Sequence, residues 1–291
     1  MSQSIIDGLI SAGWIMIVAG GFGLIFYCAR FFHFAHGGIF TASAYVSFFF
    51  KVWLGFPLLI SLFFAIALGT TLGCLIEIYI YRSLRRKKAS SLILLLASLG
   101  IYIIIQNIIS LIFGNDTKSI RLGTIEEGIN IFGARITSTQ LLIISISIIL
   151  VYALWILLKK TKIGKAIQAV AIDPELASIS GISCNRVILW TFGIGSALAS
   201  VAGILVALDV DMNPAMGMNA LMMGMVATII GGTGSMPGLA LGSLFIGMAQ
   251  HLGVWKASSN WQDAIAFSIL LIFLLLRPQG ILGRKSKKAV L

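Results

Sequence analysis

Apolar residues along this chain come in blocks of 13 to 24 positions, separated by short polar or basic stretches. Nine blocks stand out, at about 5–28, 39–53, 57–80, 92–113, 139–158, 189–208, 219–231, 238–254 and 262–276. A helix needs about 20 apolar residues to cross a bilayer. Runs such as 58–74 and 141–158 are near or at the ~18 apolar residues that already suggest a span. The five prolines (Pro57, Pro174, Pro214, Pro237 and Pro278) fall at block ends or between blocks, where a missing N–H does least harm. The pattern predicts an all-α polytopic membrane protein. It would have about nine transmembrane or partly re-entrant helical segments in a single transmembrane domain spanning residues 1–291.

Composition agrees with the pattern. Hydrophobic residues make up 58% and charged residues 11%, and the mean hydropathy is +1.02. A soluble domain carries about 25% charged residues, so there are too few here to cover a water-facing surface. The net charge of +11 does not point to nucleic acid, because the basic residues sit in short clusters between apolar blocks. Five lie in 82–88, five in 159–186 and five in 277–288, out of twenty-one in all. By the positive-inside rule those three stretches are cytoplasmic. The loop 114–138, with Asp116, Glu126 and Glu127 against three basic residues, and the loop after 208, with Asp209 and Asp211, belong outside. Parity then puts the N-terminus outside and the C-terminus inside.

The chemistry of enzymes is absent. The chain has no GxxxxGK[ST] and no HExxH or GxSxG, so neither nucleotide binding nor metal or serine hydrolysis has its usual residues. Cys28, Cys74 and Cys184 are scattered with no ligand spacing. What remains is polar residues in apolar surroundings. Blocks 39–53, 219–231 and 238–254 are short for full spans and flank glycine-bearing breaks at 33–38 and 231–238. Non-helical backbone at membrane depth has to be enclosed by protein or line a cavity, and short Gly-interrupted segments point to a substrate path. On that ground His33, His36, Gly231 and Gly232 are candidate pathway residues. Gln106 and Asn107, two amides inside 92–113, are candidates as well, with helix-to-helix bonding as the alternative. Glu77 sits near the inner interface, where local pairing with Arg82 would account for it. No carboxylate lies deep in a block, which argues against proton coupling.

The longest inside stretch, 159–188, reads as a structured loop. Ala166 to Ala171 favours helix, and Asp173 can cap a second short helix with Pro174 in its first turn and Gly181 ending it. A small helix of this kind, carrying Ala177, suits docking in a partner's cleft.

From end to end the chain resembles the membrane subunits of branched-chain amino-acid ABC importers, of the LivH-like type. The matching residues are Phe34, Ala35, His36 and Gly37; Ile76 and Glu77; Tyr81 and Arg82; Leu84 and Arg85; Ser98 to Gly100; Gln106 and Asn107; Gly164, Lys165 and Ala166. They continue through Asp173, Ala177, Gly181 and Ile182, then Asn213 and Pro214, Gly231 and Gly232, Gly234 and Ser235, Pro237 and Gly238, and Pro278 to Gly283. His33, Gly38, Ser83 and Met223 depart from the pattern, where Asn, an acidic residue, Pro and Lys are usual. The resemblance implies a permease in the bacterial inner membrane. Its partners would be a second, homologous or identical permease, two ATPase subunits, an extracytoplasmic substrate-binding protein and membrane lipid. ATP and magnesium would be bound on the ATPases, with no cofactor in this chain. Gly164, Lys165, Asp173, Ala177 and Gly181 would then belong to the segment that couples to the ATPase. The competing class is a stand-alone channel or ion-coupled carrier for small polar solutes such as urea, which would give the 159–188 loop no docking role.

Overall fold

The structure is a computed structural model that describes residues 1–120, 128–131, 133–254, 258–277 and 279–283. Glu126, Glu127, Pro278 and the basic tail from Arg284 lie outside the described residues. Each of the nine apolar blocks falls on a helix. In chain order the elements are α1 (Ser2–Ala29), α2 (Ala35–Phe48), α3 (Leu58–Ile76), α4 (Arg82–Arg86), α5 (Ser91–Phe113), a hairpin of β1 (Ile129–Ile131) and β2 (Ala134–Ile136), and α6 (Ser138–Lys160). They continue with α7 (Lys162–Ile172), α8 (Pro174–Ile179), α9 (Cys184–Asp209), α10 (Met216–Gly231), α11 (Met236–Gly253) and α12 (Gln262–Leu276). Among the described residues, α1, α3 with its extension through Arg86, α5, α6 and α9 are long and apolar enough to cross a membrane. The chain is an all-α polytopic membrane protein.

Helices α1 and α9 form the centre, about 70% buried, whereas α3, α5 and α6 are under 30% buried and face outward. Their outer surfaces carry residues such as Leu59, Phe63, Ile104, Leu111, Ile148 and Ile149. In water that would be a liability; for a lipid-embedded bundle it is the expected face. Helix α1 packs against α6, α9, α10 and α11.

Two long helices are each followed by a break and a shorter helix: α1, residues 30–34, then α2; and α9, residues 210–215, then α10. The start of α2 meets the start of α10, with a Cβ on Gly37 blocked by the Gly217 carbonyl and one on Gly217 blocked by Gly37 and Thr41. Only glycine permits that approach. Packing in lipid relies on such small residues, since burying apolar surface gains nothing when the solvent is itself apolar. The α3–α9 crossing uses the same device: Gly69 faces Ser43 and Ser200, Gly73 faces Ser196, and Ser43 Oγ donates to Ser200 Oγ at 2.8 Å. A Gly73→Leu substitution is expected to force α3 off α9 and destabilise the protein by about 1–3 kcal/mol or more, as overpacking does. A thermal unfolding scan in detergent would check this, with the exposed Ala67→Leu as control.

The loops sort into two ends. At one end Lys118 and Met212 pair through both backbone hydrogen bonds, each 2.9 Å, so the loops after α5 and α9 lie together. Gln3 at the start of α1 bonds the Arg135 backbone of the hairpin at the same end. At the other end Arg30 reaches Ala171 and Arg82 reaches Asn185.

Candidate transport and coupling sites

The break after α1 is built from local chemistry. Arg30 adopts φ 59°, ending α1 in the left-handed region. The chain then turns back so that His36 packs against Gly21 and Phe22 of α1. The exposed backbone of the turn is held by one side chain. Ser98 Oγ accepts from the Phe34 N–H at 3.0 Å and lies 3.1 Å from the Phe32 carbonyl and 2.8 Å from the Leu95 carbonyl, to either of which it can donate. Ser98 stands out in the sequence only through the family resemblance, and nothing there gives it the role of holding this turn.

His33 and His36 are fully buried. His33 Nδ1 lies 3.0 Å from the Tyr81 hydroxyl, within a cluster completed by Phe31 and Phe192. The ring centres of His33 and His36 are 6.0 Å apart. Tyr81 is aimed inward by the chain's wider turn over Glu77–Tyr81, a π-helical segment that also buries Glu77. The partner of Glu77 is Arg85, which forks both carboxylate oxygens, and not Arg82 as spacing suggested; the π turn rotates Arg82 off that face. Removing one member of a buried pair strands the other and costs about 3–5 kcal/mol. Arg85→Ala should therefore lower the unfolding temperature sharply, and adding Glu77→Gln should recover part of the loss.

The other pathway candidates do not join the histidines. Asn107 faces outward on α5 and spends its amide on its own helix, donating to the Ile103 carbonyl at 2.8 Å; Gln106 is half-buried beside it. Gly231 and Gly232 are buried in a tight hairpin. A Cβ on Gly231 would strike Gly238, while Gly232 (φ 96°) lies against Gln279 and Gly283. Ile281 N–H donates to the Ile230 carbonyl at 2.7 Å, laying residues 279–283 over the turn. These glycines serve close packing, and none of these candidates lines either of the two cavities described next.

One cavity, of about 280 Å³, is entirely apolar and opens beside the break: Phe32, Phe34, Leu95, Met222, Met225 and Phe267 are among its walls. The other, of about 330 Å³, lies at the opposite end, where α1 begins, and sets polar side chains in a partly apolar wall, with Asp7, Ser11, Asn219, His251 and Asp263 among its lining. Its residues come from α1, α6, α9, α10, α11 and α12, too far apart in sequence for any motif to join them.

In the 159–188 stretch, α7 folds back on the end of α6. Thr161 caps α7 through the Gly164 N–H at 3.0 Å, Gln168 donates to the Leu158 carbonyl at 2.7 Å, and Gly164 has no room for a Cβ against Leu157 and Leu158. Lys165 is exposed. Asp173 caps α8, its Oδ1 accepting from the Glu175 and Leu176 N–H groups, each at 3.0 Å. Gly181 (φ 84°) closes α8: its N–H reaches Ser178 and that of Ile182 reaches Ala177, the paired bonds of a Schellman motif. The docking face differs from expectation. Ala177 is 4% exposed and points into its own chain, whereas Ile172, Leu176 and Ile179 are 73%, 61% and 83% exposed. The Schellman turn pulls Ala177 inward and leaves the larger residues on the surface. Helix α9 begins at Cys184, within the stretch read as loop.

The comparisons with known proteins bear on this arrangement. The family described as branched-chain amino acid transport system / permease component matches residues 4–275. The chain belongs to that family. It is 31% identical to the high-affinity branched-chain amino acid transport system permease protein BraD of Pseudomonas aeruginosa, over 99% of this chain and 97% of the relative. It is 32% identical to LivH of Escherichia coli, a protein of the same description, with the same coverage. A probable branched-chain amino acid transport permease, LivH of Methanocaldococcus jannaschii, is 27% identical over 98% of this chain and 94% of its own length. Among solved structures, PsaBC from Streptococcus pneumoniae in complex with Fab shares the fold, with a TM-score of 0.53 at 18% identity over 94% of this chain and 91% of that one. The protein is thus a multi-pass permease subunit of the cytoplasmic membrane, a transport component and not an enzyme.

Proposed function

We propose that this permease imports branched-chain or other neutral amino acids by alternating access, driven by ATP on separate ATPase subunits. Two ATPases holding ATP and magnesium, a second permease chain and an extracytoplasmic binding protein would complete the machine. The observation that carries the reading is the exposed apolar edge of α7–α8 (Ile172, Leu176 and Ile179) on a segment pinned to the bundle. Two exposed aliphatic side chains on the doubly capped α8, with Ile172 at the end of α7 beside them, suit a partner's groove and have no use in water. Arg30 Nη2 donates to the Ala171 carbonyl at 2.6 Å, so a push on this segment reaches the end of α1 and the break beyond it. ATP would act through its different affinity for the two states, the only way a ligand shifts an equilibrium. The apolar cavity beside the break has the chemistry for an aliphatic side chain. In this reading the domain is a single unit of 1–291, and nine segments run with the N-terminus outside and the C-terminus in the cytoplasm.

Two measurements test it. Cysteines placed at Lys118 and Ile179 in a Cys-free background should react with an impermeant maleimide from opposite sides of the membrane. Labelling of both from outside ends the topology. Labelled leucine should accumulate in proteoliposomes only when the ATPases and hydrolysable ATP are present; uptake without them favours a stand-alone carrier.

A further inference from the structure

The cavity where α1 begins is left unused by the coupling scheme, and its composition is at odds with the rest of the chain. The protein has ten carboxylates against twenty-one basic residues, yet three of the ten (Asp7, Asp209 and Asp263) line this one cavity of about 330 Å³. Among the described residues no Lys or Arg lines it. Asp7 accepts a hydrogen bond from Gln3 Nε2 at 2.9 Å, and Asp263 accepts one from Asn219 Nδ2 at 3.1 Å. Both donors are neutral. An ionised carboxylate offers about four acceptor sites, so each keeps most of its capacity, and no Lys or Arg among the described residues pairs with either.

A second feature points to a ligand independently of the acids. Gln250 also lines the cavity and is only 6% exposed. Its amide nitrogen rests on the Met223 sulfur at 3.1 Å, a weak acceptor, and no protein donor among the described residues meets its carbonyl oxygen. That oxygen is left open to a donor entering from the cavity. His251 spends its Nε2 on Ser11 Oγ at 2.7 Å. Trp14, Ile10, Ile143 and Val206 add apolar wall. The cavity therefore offers carboxylate and amide oxygens, no Lys or Arg among the described residues of its lining, and a hydrocarbon side, within the size range of small-molecule sites.

We infer that this cavity binds a primary alkylammonium group, with Asp7, Asp263 and Gln250 supplying the acceptors and the apolar wall taking a short aliphatic chain. The site deepens the transport reading, since a neutral amino acid carries such an ammonium, and in the proposed topology this end faces outside. It does not depend on that reading, because a simple amine has the same chemistry.

The test is calorimetric titration of the full-length chain in lipid nanodiscs with isopentylamine, leucine and isovalerate. Isopentylamine is expected to bind and isovalerate, which lacks the amine, is not. Isovalerate binding as well as isopentylamine would overturn the inference. Asp7→Asn and Asp263→Asn should each weaken isopentylamine binding at least tenfold, with unfolding temperature and elution volume confirming an intact fold. Parent affinity in the Asp7→Asn/Asp263→Asn double variant would overturn it too. Competition by leucine supports the site with cargo as its source; amine binding without leucine competition supports the same ammonium chemistry with a carboxylate-free amine as its source. Loss of leucine uptake by the assembled importer with amine binding intact would count against the transport reading alone.

Discussion

Replacing Leu176 and Ile179 together with Asp should leave a stable, inserted permease that no longer retains its ATPase on purification and no longer transports. Both side chains are exposed, 61% and 83%, so the change removes nothing from the protein's own core. It would set two carboxylates into an apolar contact, and desolvating an unpaired charge costs several kcal/mol. At 1.4 kcal/mol per tenfold, that is a loss of at least a hundredfold in affinity. The readout is the ATPase-to-permease ratio after affinity purification, with uptake measured on the same material. Ala177→Arg makes the contrast. Ala177 is buried under the turn closed by Gly181 and Ile182, so the bulky cation is expected to unfold α8 and lower the yield of folded protein, a different failure from lost docking.

The second large effect is expected at Arg30. Its guanidinium joins the end of α1 to the last turn of α7 at 2.6 Å, and hydrogen bonds from a charged donor are worth about 1.5–3 kcal/mol. Arg30→Ala should keep the ATPase bound, because the exposed edge of α7–α8 is untouched. Uptake should nevertheless fall at least tenfold while ATP hydrolysis continues, the mark of a broken transmission. Lys at this position should restore only part of the uptake, since an ammonium is shorter and lacks the planar fork. Equal loss of hydrolysis and uptake would mean that Arg30 acts on docking instead.

What could be read from the sequence divides along physical lines. Hydropathy is local, so each apolar block fell on a helix without any knowledge of its neighbours. Capping is local too, so Asp173, Pro174 and Gly181 were legible as the start and stop of α8. The face a six-residue helix presents is decided by what it packs against, and Ala177 was accordingly placed on the wrong side. Gly231 and Gly232 carry a signal for broken backbone that is the same whether the break lines a path or permits a tight crossing; the structure places them in a crossing. Glu77 was near Arg82 in sequence, but a π turn, which no propensity marks, hands it to Arg85. The role of Ser98 and the grouping of the cavity residues were invisible for a simpler reason. Their partners lie tens to hundreds of positions away, as with Phe34 for Ser98 and Ser11 for His251, and a single sequence holds no record of such pairs.

The most direct measurement of the coupling claim is disulfide cross-linking between a cysteine at position 176 or 179, in a Cys-free background, and cysteines scanned along the partner ATPase. The account expects efficient linkage from both positions, a yield that changes between ATP-bound and nucleotide-free complexes, and little linkage from buried position 177. Failure of positions 176 and 179 to reach the ATPase in a complex that transports leucine would contradict it.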